Sequence, residues 1–276
     1  MSNQWVRVER QPRGIAVLTF NDPERLNAMT EDMGRAIAAA TGELAQDPDL
    51  RALVLTGEGR AFSAGGDLDM ISRMNEAGLA DIGGPTRAEN RDFMGRFYRL
   101  YLSVREVPVP TLAAMNGAAV GAGCCVALGC DIRIAAAEAR IGLNFNRLGI
   151  HPGMAATWTL PRLVGPAHAA ELLYTGKLID GKEAARIGLV NRALAREEVL
   201  TDALATAAAI SECAPGAIRG SKRSLAQTAE RTIDEQLDTE AHEQSLNYES
   251  TDLTEGLTAA RESGQAALEG AAVRLE

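Results

Sequence analysis

Between Glu106 and Asp131 the chain carries no charge, and this stretch limits the fold more than any other. It reads Val107-Pro-Val-Pro-Thr-Leu-Ala-Ala-Met-Asn-Gly-Ala-Ala-Val-Gly-Ala-Gly-Cys-Cys-Val-Ala-Leu-Gly-Cys-Asp-Ile132. A run this apolar must be buried. Pro108 and Pro110 set an extended entry, and Thr111 to Met115 is an apolar run of strand length. Asn116-Gly117 signals a turn, and Gly121-Ala122-Gly123 removes side chains where the chain begins to coil again. Cys124 to Gly129 is apolar on every side, as a buried helix requires. Strand, glycine turn and buried helix start would aim unpaired backbone N–H groups at one point. A partly negative ligand group is expected there.

Other readings of the stretch fail on particular residues. A membrane-spanning helix is opposed by two prolines, Asn116 and the glycines inside the run. A dinucleotide fingerprint needs a third glycine where Val126 stands, and no Gly-Lys-Ser/Thr closes a phosphate loop. A core strand and helix, with glycines only for close packing, stays open on this stretch alone.

A length of 276 residues is enough for a sizeable core in one large or two small domains. The net charge of −9 opposes general nucleic-acid binding. Cys124, Cys125, Cys130 and Cys213 follow no disulfide or zinc spacing, so buried reduced thiols and no metal are expected. Reduced thiols and an N-terminus without an apolar signal core point to the cytoplasm.

Trp5 to Glu9 and Gly14 to Phe20 are strand candidates on either side of a turn at Pro12. Asn21 to Met29 is a loop, and Thr30 caps a helix whose apolar face is Met33, Ile37, Ala40 and Leu44. Ala52 to Thr56 is a third strand, which completes a right-handed crossover. Asn75 to Pro85, rich in small and polar residues, reads as a mobile loop. Phe93, Phe97, Leu100, Tyr101 and Val104 mark a helix that leads into the opening stretch. Short strands are expected at Ile132 to Ala135 and Arg140 to Leu143, and a turn at Gly149 to Met154 precedes a helix with Trp158 and Leu160. From Pro166 onward the pattern predicts helices only. Ile233, Leu237 and Ala241 share one face of an otherwise charged helix. The chain is therefore expected to divide into a crossover-rich core, 1–195, and a helical region, 196–276.

Two glycine-rich turns thus follow successive parallel strands: Phe62-Ser-Ala-Gly-Gly-Asp67 and Asn116-Gly-Ala-Ala-Val-Gly-Ala-Gly123. One backbone N–H from each would make an oxyanion hole, which favours a charged oxygen over a neutral carbonyl. At these residues the chain resembles the crotonase, or enoyl-CoA hydratase/isomerase, superfamily. Pro23-Glu-Arg-Leu-Asn-Ala-Met29, Leu55 to Leu68, Pro110 to Gly117, Gly121-Ala-Gly123 and Cys130-Asp-Ile132 stand in that family's order and spacing. Gly149-Ile-His-Pro-Gly153, Leu172-Leu-Tyr-Thr-Gly176 and Ala184 to Val190 follow the same pattern. The resemblance covers about residues 5 to 260. It implies an α/β fold, a spiral of ββα units with a helical C-terminal region, assembled as a homotrimer or homohexamer. It also implies an acyl-CoA substrate, coenzyme A entering as part of that substrate and no separate cofactor.

Carried over by position, the oxyanion hole would be the N–H groups of Ala64 and Ala122, with Gly65, Gly66 and Asp67 shaping the first turn. Arg25, Leu26 and Ala28 would line the site for the adenine and phosphates of CoA. The departures are as informative. Hydratases of this family place one glutamate just after the second glycine turn and another before Gly149. Those positions are Cys125 and Phe145 here. Two carboxylates hold and activate water and shuttle its proton, which a thiol and a phenyl ring cannot do in the same way. Asp69, Asn144, Asn146 and His151 are the remaining polar candidates near the carbonyl. His151, before Pro152 in a turn, better suits a structural hydrogen bond, and Asp69 equally suits a helix start. Near the C-terminus, Ala260, Arg261 and Ser263 replace the aromatic and basic residues with which the family often reaches CoA; Arg261 would be the substitute. The expected chemistry passes through a thioester enolate in an enoyl-CoA hydratase/isomerase-type enzyme. The alternatives are an isomerase, hydrolase or decarboxylase acting on another acyl-CoA, and a non-catalytic acyl-CoA-binding protein.

Overall fold

Strand β1 (Val6–Gln11) turns back on β2 (Ile15–Phe20) through a tight 3-10 turn at Pro12–Gly14. The turn needs its glycine: Gly14 has φ +71, and a methyl group there would meet Asp49 O at 2.2 Å. A computed structural model describes residues 4–80 and 83–272, with side chains as far as 262. Thr30 Oγ1 accepts from Met33 N at 3.2 Å and starts α1 (Glu31–Ala45), which returns the chain to β3 (Ala52–Gly57), parallel to β2. The short strand β4 (Ala61–Ser63) follows, then α2 (Leu68–Leu79) and α3 (Arg87–Leu102), the latter opened by a reciprocal Thr86–Glu89 capping box. The expected loop at 75–85 is corrected in part, because α2 continues to Leu79 from its Asp67 cap.

Two further rounds repeat the pattern. Strand β5 (Thr111–Met115), short β6 (Ala118–Val120) and α4 (Ala122–Gly129) form one. Strand β7 (Ile132–Ala136), short β8 (Ile141–Gly142) and α5 (Ala156–Thr175), kinked at Gly165, form the next. Each turn of the spiral thus gives one strand to a large sheet and one to a small sheet. The large sheet has the order β1-β2-β3-β5-β7 and the small one β4-β6-β8, with all pairs after the first hairpin parallel. Strands β2, β3 and β5 are buried along their whole length, as a parallel sheet covered on both faces requires.

After α6 (Gly181–Arg186), strand β9 (Arg192–Leu194) adds to β7 in parallel and completes the large sheet. This corrects the expectation of helices only after Pro166; a three-residue strand is too short to show a period. Helix α7 (Val199–Ser211) lays Val199, Ala203 and Ala207 on β3, β5 and β7, an i, i+4 stripe of small side chains that lets helix and sheet approach closely. The first compact body accordingly runs to Ser211, past the 195/196 division expected from the sequence. The second, from Glu212, holds α8 (Pro215–Gln227), α9 (Ile233–Tyr248) and α10 (Thr251–Ala272). Within it Arg223 grips Glu243 with two hydrogen bonds, of 3.0 and 2.7 Å. No helix among the described residues is long and apolar enough to cross a membrane.

Candidate active site

The two glycine turns lie at the C-terminal ends of β4 and β6, neighbours in the small sheet, rather than directly after the long strands β3 and β5. Their contact is intimate. Gly65 has φ +97, and a methyl group on it would stand 2.4 Å from Val120 O and 3.5 Å from Ala122 N. Gly121, at φ +53, leads into α4, and a methyl group on Gly123 would strike Ser63 O at 2.6 Å. Glycine is needed at 65 and 123 for the turns to touch, and at 121 it suits the left-handed φ.

Which N–H groups remain free follows from the backbone ladder. Met29 and Gly66 form a parallel bridge: Met29 N donates to Gly65 O at 2.8 Å and Asp67 N to Met29 O at 3.2 Å. Such a bridge uses the peptide groups on either side of Gly66 and turns the N–H of Gly66 itself to the opposite side. Ala122 is the first residue of α4, where an N–H has no partner inside the helix; the first internal bond is Cys125 N to Gly121 O at 3.1 Å. Gly66 and Ala122 therefore present two donors, unengaged among the described residues, on adjoining turns. Ala64 does not. Its N–H donates to Leu26 O at 2.9 Å, so the expectation that Ala64 supplies the first donor is corrected.

The loop before α1 braces this arrangement. Leu26 (φ 54) and Asn27 (φ 55) both take the left-handed conformation, costly for residues with a side chain. Asn27, wholly buried, offsets that cost with side-chain bonds to Glu58 O, Ala61 O and Asp22 N of 3.0, 2.9 and 2.9 Å. Ser63 Oγ donates to Asn27 O at 2.7 Å and accepts from Gly65 N at 3.1 Å. Asp67 caps α2 through Met70 N at 2.6 Å and forms an ion pair with Arg25. Arg25 is thus a partnered cation, half exposed, at the edge of a cleft of about 530 Å³ lined also by Trp5, Asp69, Arg73 and Phe93.

The opposite wall is apolar. Cys125 lies one helical turn after Ala122 and is buried. Its Sγ donates to Gly153 O at 3.7 Å. Burial, with Cys124 beside it, pushes its thiol well above the ordinary range, so it stays protonated. Phe145, also buried, opens a 3-10 turn that ends at Gly149. The turn after Pro152 is strained, with Met154 at φ 53 and Ala155 at φ 57. Four of the five left-handed non-glycine residues described thus flank the site, in two adjacent pairs.

With that geometry in place, the comparison with known proteins is decisive. A family model described as enoyl-CoA hydratase/isomerase matches residues 10–271. The chain belongs to the enoyl-CoA hydratase/isomerase family. It is 39% identical over 229 residues to a probable enoyl-CoA hydratase, echA14, of Mycobacterium tuberculosis, covering 83% of each chain. It is 34% identical over 260 residues to a crotonyl-CoA hydratase of Syntrophomonas wolfei, covering 94% of this chain and 95% of that one. Among solved structures, an enoyl-CoA hydratase from Bacillus anthracis matches with a TM-score of 0.86 at 28% identity, over 94% of this chain and 97% of that one. Pseudomonas aeruginosa DspI matches with 0.85 at 31% identity, over 95% and 96%.

Set within this enoyl-CoA hydratase/isomerase fold, the other candidates separate. Arg25, Leu26 and Ala28 share the loop that braces the first turn. Asp69 is exposed in the first turn of α2 and faces the Arg25 cleft. His151 is exposed, and its Nδ1 pairs with Pro152 O at 2.8 Å, a local turn bond. Asn146 donates to Leu173 O at 2.9 Å, while Asn144 Oδ1 would lie 3.1 Å from a methyl group on Gly121. Ala260 and Arg261 are exposed on α10, and the side chain of Ser263 lies outside the described ones. Sequence reasoning missed Tyr98, which rests against Gly153. The available signal was an aromatic residue off the Phe97–Tyr101–Val104 stripe of its helix, and so directed at a different neighbour.

Proposed function

We propose that this chain binds an acyl-CoA thioester with its carbonyl oxygen between the N–H groups of Gly66 and Ala122, and stabilises the enolate that forms there. The observation that carries this reading is the pair of unengaged donors on touching turns. Donors held in place cost no reorganisation as charge grows on the oxygen, and one such donor is worth roughly 10²- to 10³-fold in rate. The names of the relatives, enoyl-CoA and crotonyl-CoA hydratases, support the thioester class. Coenzyme A enters as part of the substrate, and no separate cofactor is invoked.

Ordinary two-carboxylate hydration is not the favoured reaction, because a protonated thiol and a phenyl ring stand where the resemblance expects glutamates. That same observation supports the second reading, a family member that retains acyl-CoA binding with little turnover. Calorimetry with a saturated acyl-CoA, alongside the free acid and CoA alone, tests the shared core of both. The thioester should bind more tightly than the acid; no heat and no thermal shift at saturation would refute the proposal. We further propose a homotrimer or homohexamer, supported by Ile233 and Leu237, which are 77% and 57% exposed on one face of α9.

A further inference from the structure

The thiol of Cys125 has one more neighbour able to carry a proton. Tyr98, on α3, is half-buried and lies against Gly153: a methyl group on that glycine would stand 2.5 Å from Tyr98 Oη and 2.7 Å from Cζ. Glycine at 153 is therefore what leaves room for the phenol. Gly153 O, on the same residue, receives the Cys125 thiol at 3.7 Å. Phenol, thiol and the Gly153 peptide form one cluster, and Cys125 follows Ala122 by three residues on α4. That spacing places residues 122 and 125 on one face, about 5 Å apart along the axis.

The hydroxyl is also uncommitted. Tyr98 Oη makes no hydrogen bond among the described residues, whereas Tyr101, on the same helix, donates to Thr30 O at 2.6 Å. The other two tyrosines, Tyr174 and Tyr248, are mostly exposed. Burial first, and Cys125 second, raise the Tyr98 pKa above the usual phenol value, so the group stays protonated. A neutral, unpaired, partly buried O–H beside the first missing acid position has no structural bond to account for it.

We infer that Tyr98 is the proton donor of this site, delivering its hydroxyl proton to the α-carbon of the bound thioester enolate. In that step the phenol O–H bond breaks while the enolate electron pair forms the new C–H bond. The thioester carbonyl re-forms, the negative charge passes to the phenolate, and solvent water returns the proton. Run backwards, solvent hydroxide takes the hydroxyl proton to form water and the phenolate then removes an α-proton, so the same group carries exchange. The inference rests on the acyl-CoA reading above.

The test uses butyryl-CoA in heavy water, with α-deuterium uptake followed by mass spectrometry and affinity by calorimetry. Tyr98→Phe keeps the ring on Gly153 and removes only the hydroxyl. Exchange should fall by roughly 10²-fold or more, the usual worth of a general acid, with Kd within about twofold and the melting temperature held. Gly153→Ala retains the hydroxyl but pushes it aside, and it should lower exchange as well. Exchange equal to the parent in either variant would overturn the assignment, as would a parent protein that binds butyryl-CoA without exchange above the protein-free rate. No binding by the parent would instead overturn the acyl-CoA reading on which the assignment rests, and the calorimetry tells the two failures apart.

Discussion

The two walls of the site are built on different principles. One is main chain: the Ser63–Asp67 and Gly121–Gly123 turns present N–H groups, their glycines let the backbones touch, and the Ser63 and Asp67 side chains brace the first turn. The other is side chain: Cys125, Phe145 and Tyr98 around the strained Pro152–Ala155 turn. A main-chain donor survives any substitution that keeps φ and ψ, so alanine at 122 still presents its N–H at the start of α4. A side-chain acid is lost in a single substitution. The wall made of peptide groups can therefore persist in a fold while the chemistry of the facing wall changes completely.

Restoring the second wall should have the largest effect. With Cys125→Glu and Phe145→Glu together, crotonyl-CoA hydration should rise by about 10⁴-fold or more over the parent, since each acid is worth roughly 10² to 10⁴. Either change alone should recover much less, because the pair acts as a unit. The carboxyl introduced at 125 would be buried and face Gly153 O, a setting that favours its protonated form. Burying two carboxyl groups costs stability, so melting curves accompany the kinetics. A parent protein already hydrating crotonyl-CoA at an ordinary enzymatic rate would break the contrast between the walls.

The first wall is tested by Gly65→Ala. At φ +97, with a methyl group 2.4 Å from Val120 O, the turn must move and separate the donors. Enolate chemistry, read as α-proton exchange, should fall by about 10²- to 10³-fold, the worth of one misplaced donor. Thermal stability should fall as well. Gly66→Ala is the milder partner, because a methyl group there meets only Ile71 Cδ1 at 3.3 Å and φ is not left-handed. Full activity in Gly65→Ala would show that the touching turns are not what holds the donors.

How legible each wall was follows from the same physics. Glycines whose replacement would collide with backbone, Gly65 and Gly123 above all, mark the donor turns in the sequence because nothing else fits. The direction of each N–H is another matter. Whether residue 64 or 66 faces the ligand depends on the Met29–Gly66 bridge and on the Ala64–Leu26 bond, both of which join the turn to a loop far away in the chain. Of the small sheet only β8 was read, within the strand expected at Arg140 to Leu143; β4 and β6 have three residues each, too few to display alternation. Tyr98 was hidden because what surrounds it is space at Gly153, and a missing methyl group 55 residues away leaves no local pattern. The long runs β2, β3 and β5 and the capped helices α1 and α9 were readable, as their burial and end chemistry are local.

The smallest effect expected is at Arg25, and it asks where the first wall ends. Its guanidinium is paired with Asp67, whose side chain is only 7% exposed and caps α2. It also lies 3.9 Å from Asp22. Removing it in Arg25→Ala has two separable consequences. A buried carboxylate loses its partner, which loosens the turn carrying Gly66, and the loop loses a cation able to meet a CoA phosphate. An arginine has five N–H donors, so pairing with Asp67 does not exhaust it. Comparing acyl-CoA with the corresponding acyl-pantetheine, which lacks the nucleotide, tells the two apart. If Arg25 addresses the nucleotide, affinity for acyl-CoA should fall by about tenfold, roughly 1.4 kcal/mol, with acyl-pantetheine within twofold. Equal losses for both ligands would assign Arg25 to the turn itself, through Asp67, and Asp67→Asn should then reproduce them. Either outcome fixes whether the charged loop at 22–28 belongs to ligand recognition or to the scaffold that holds the donors.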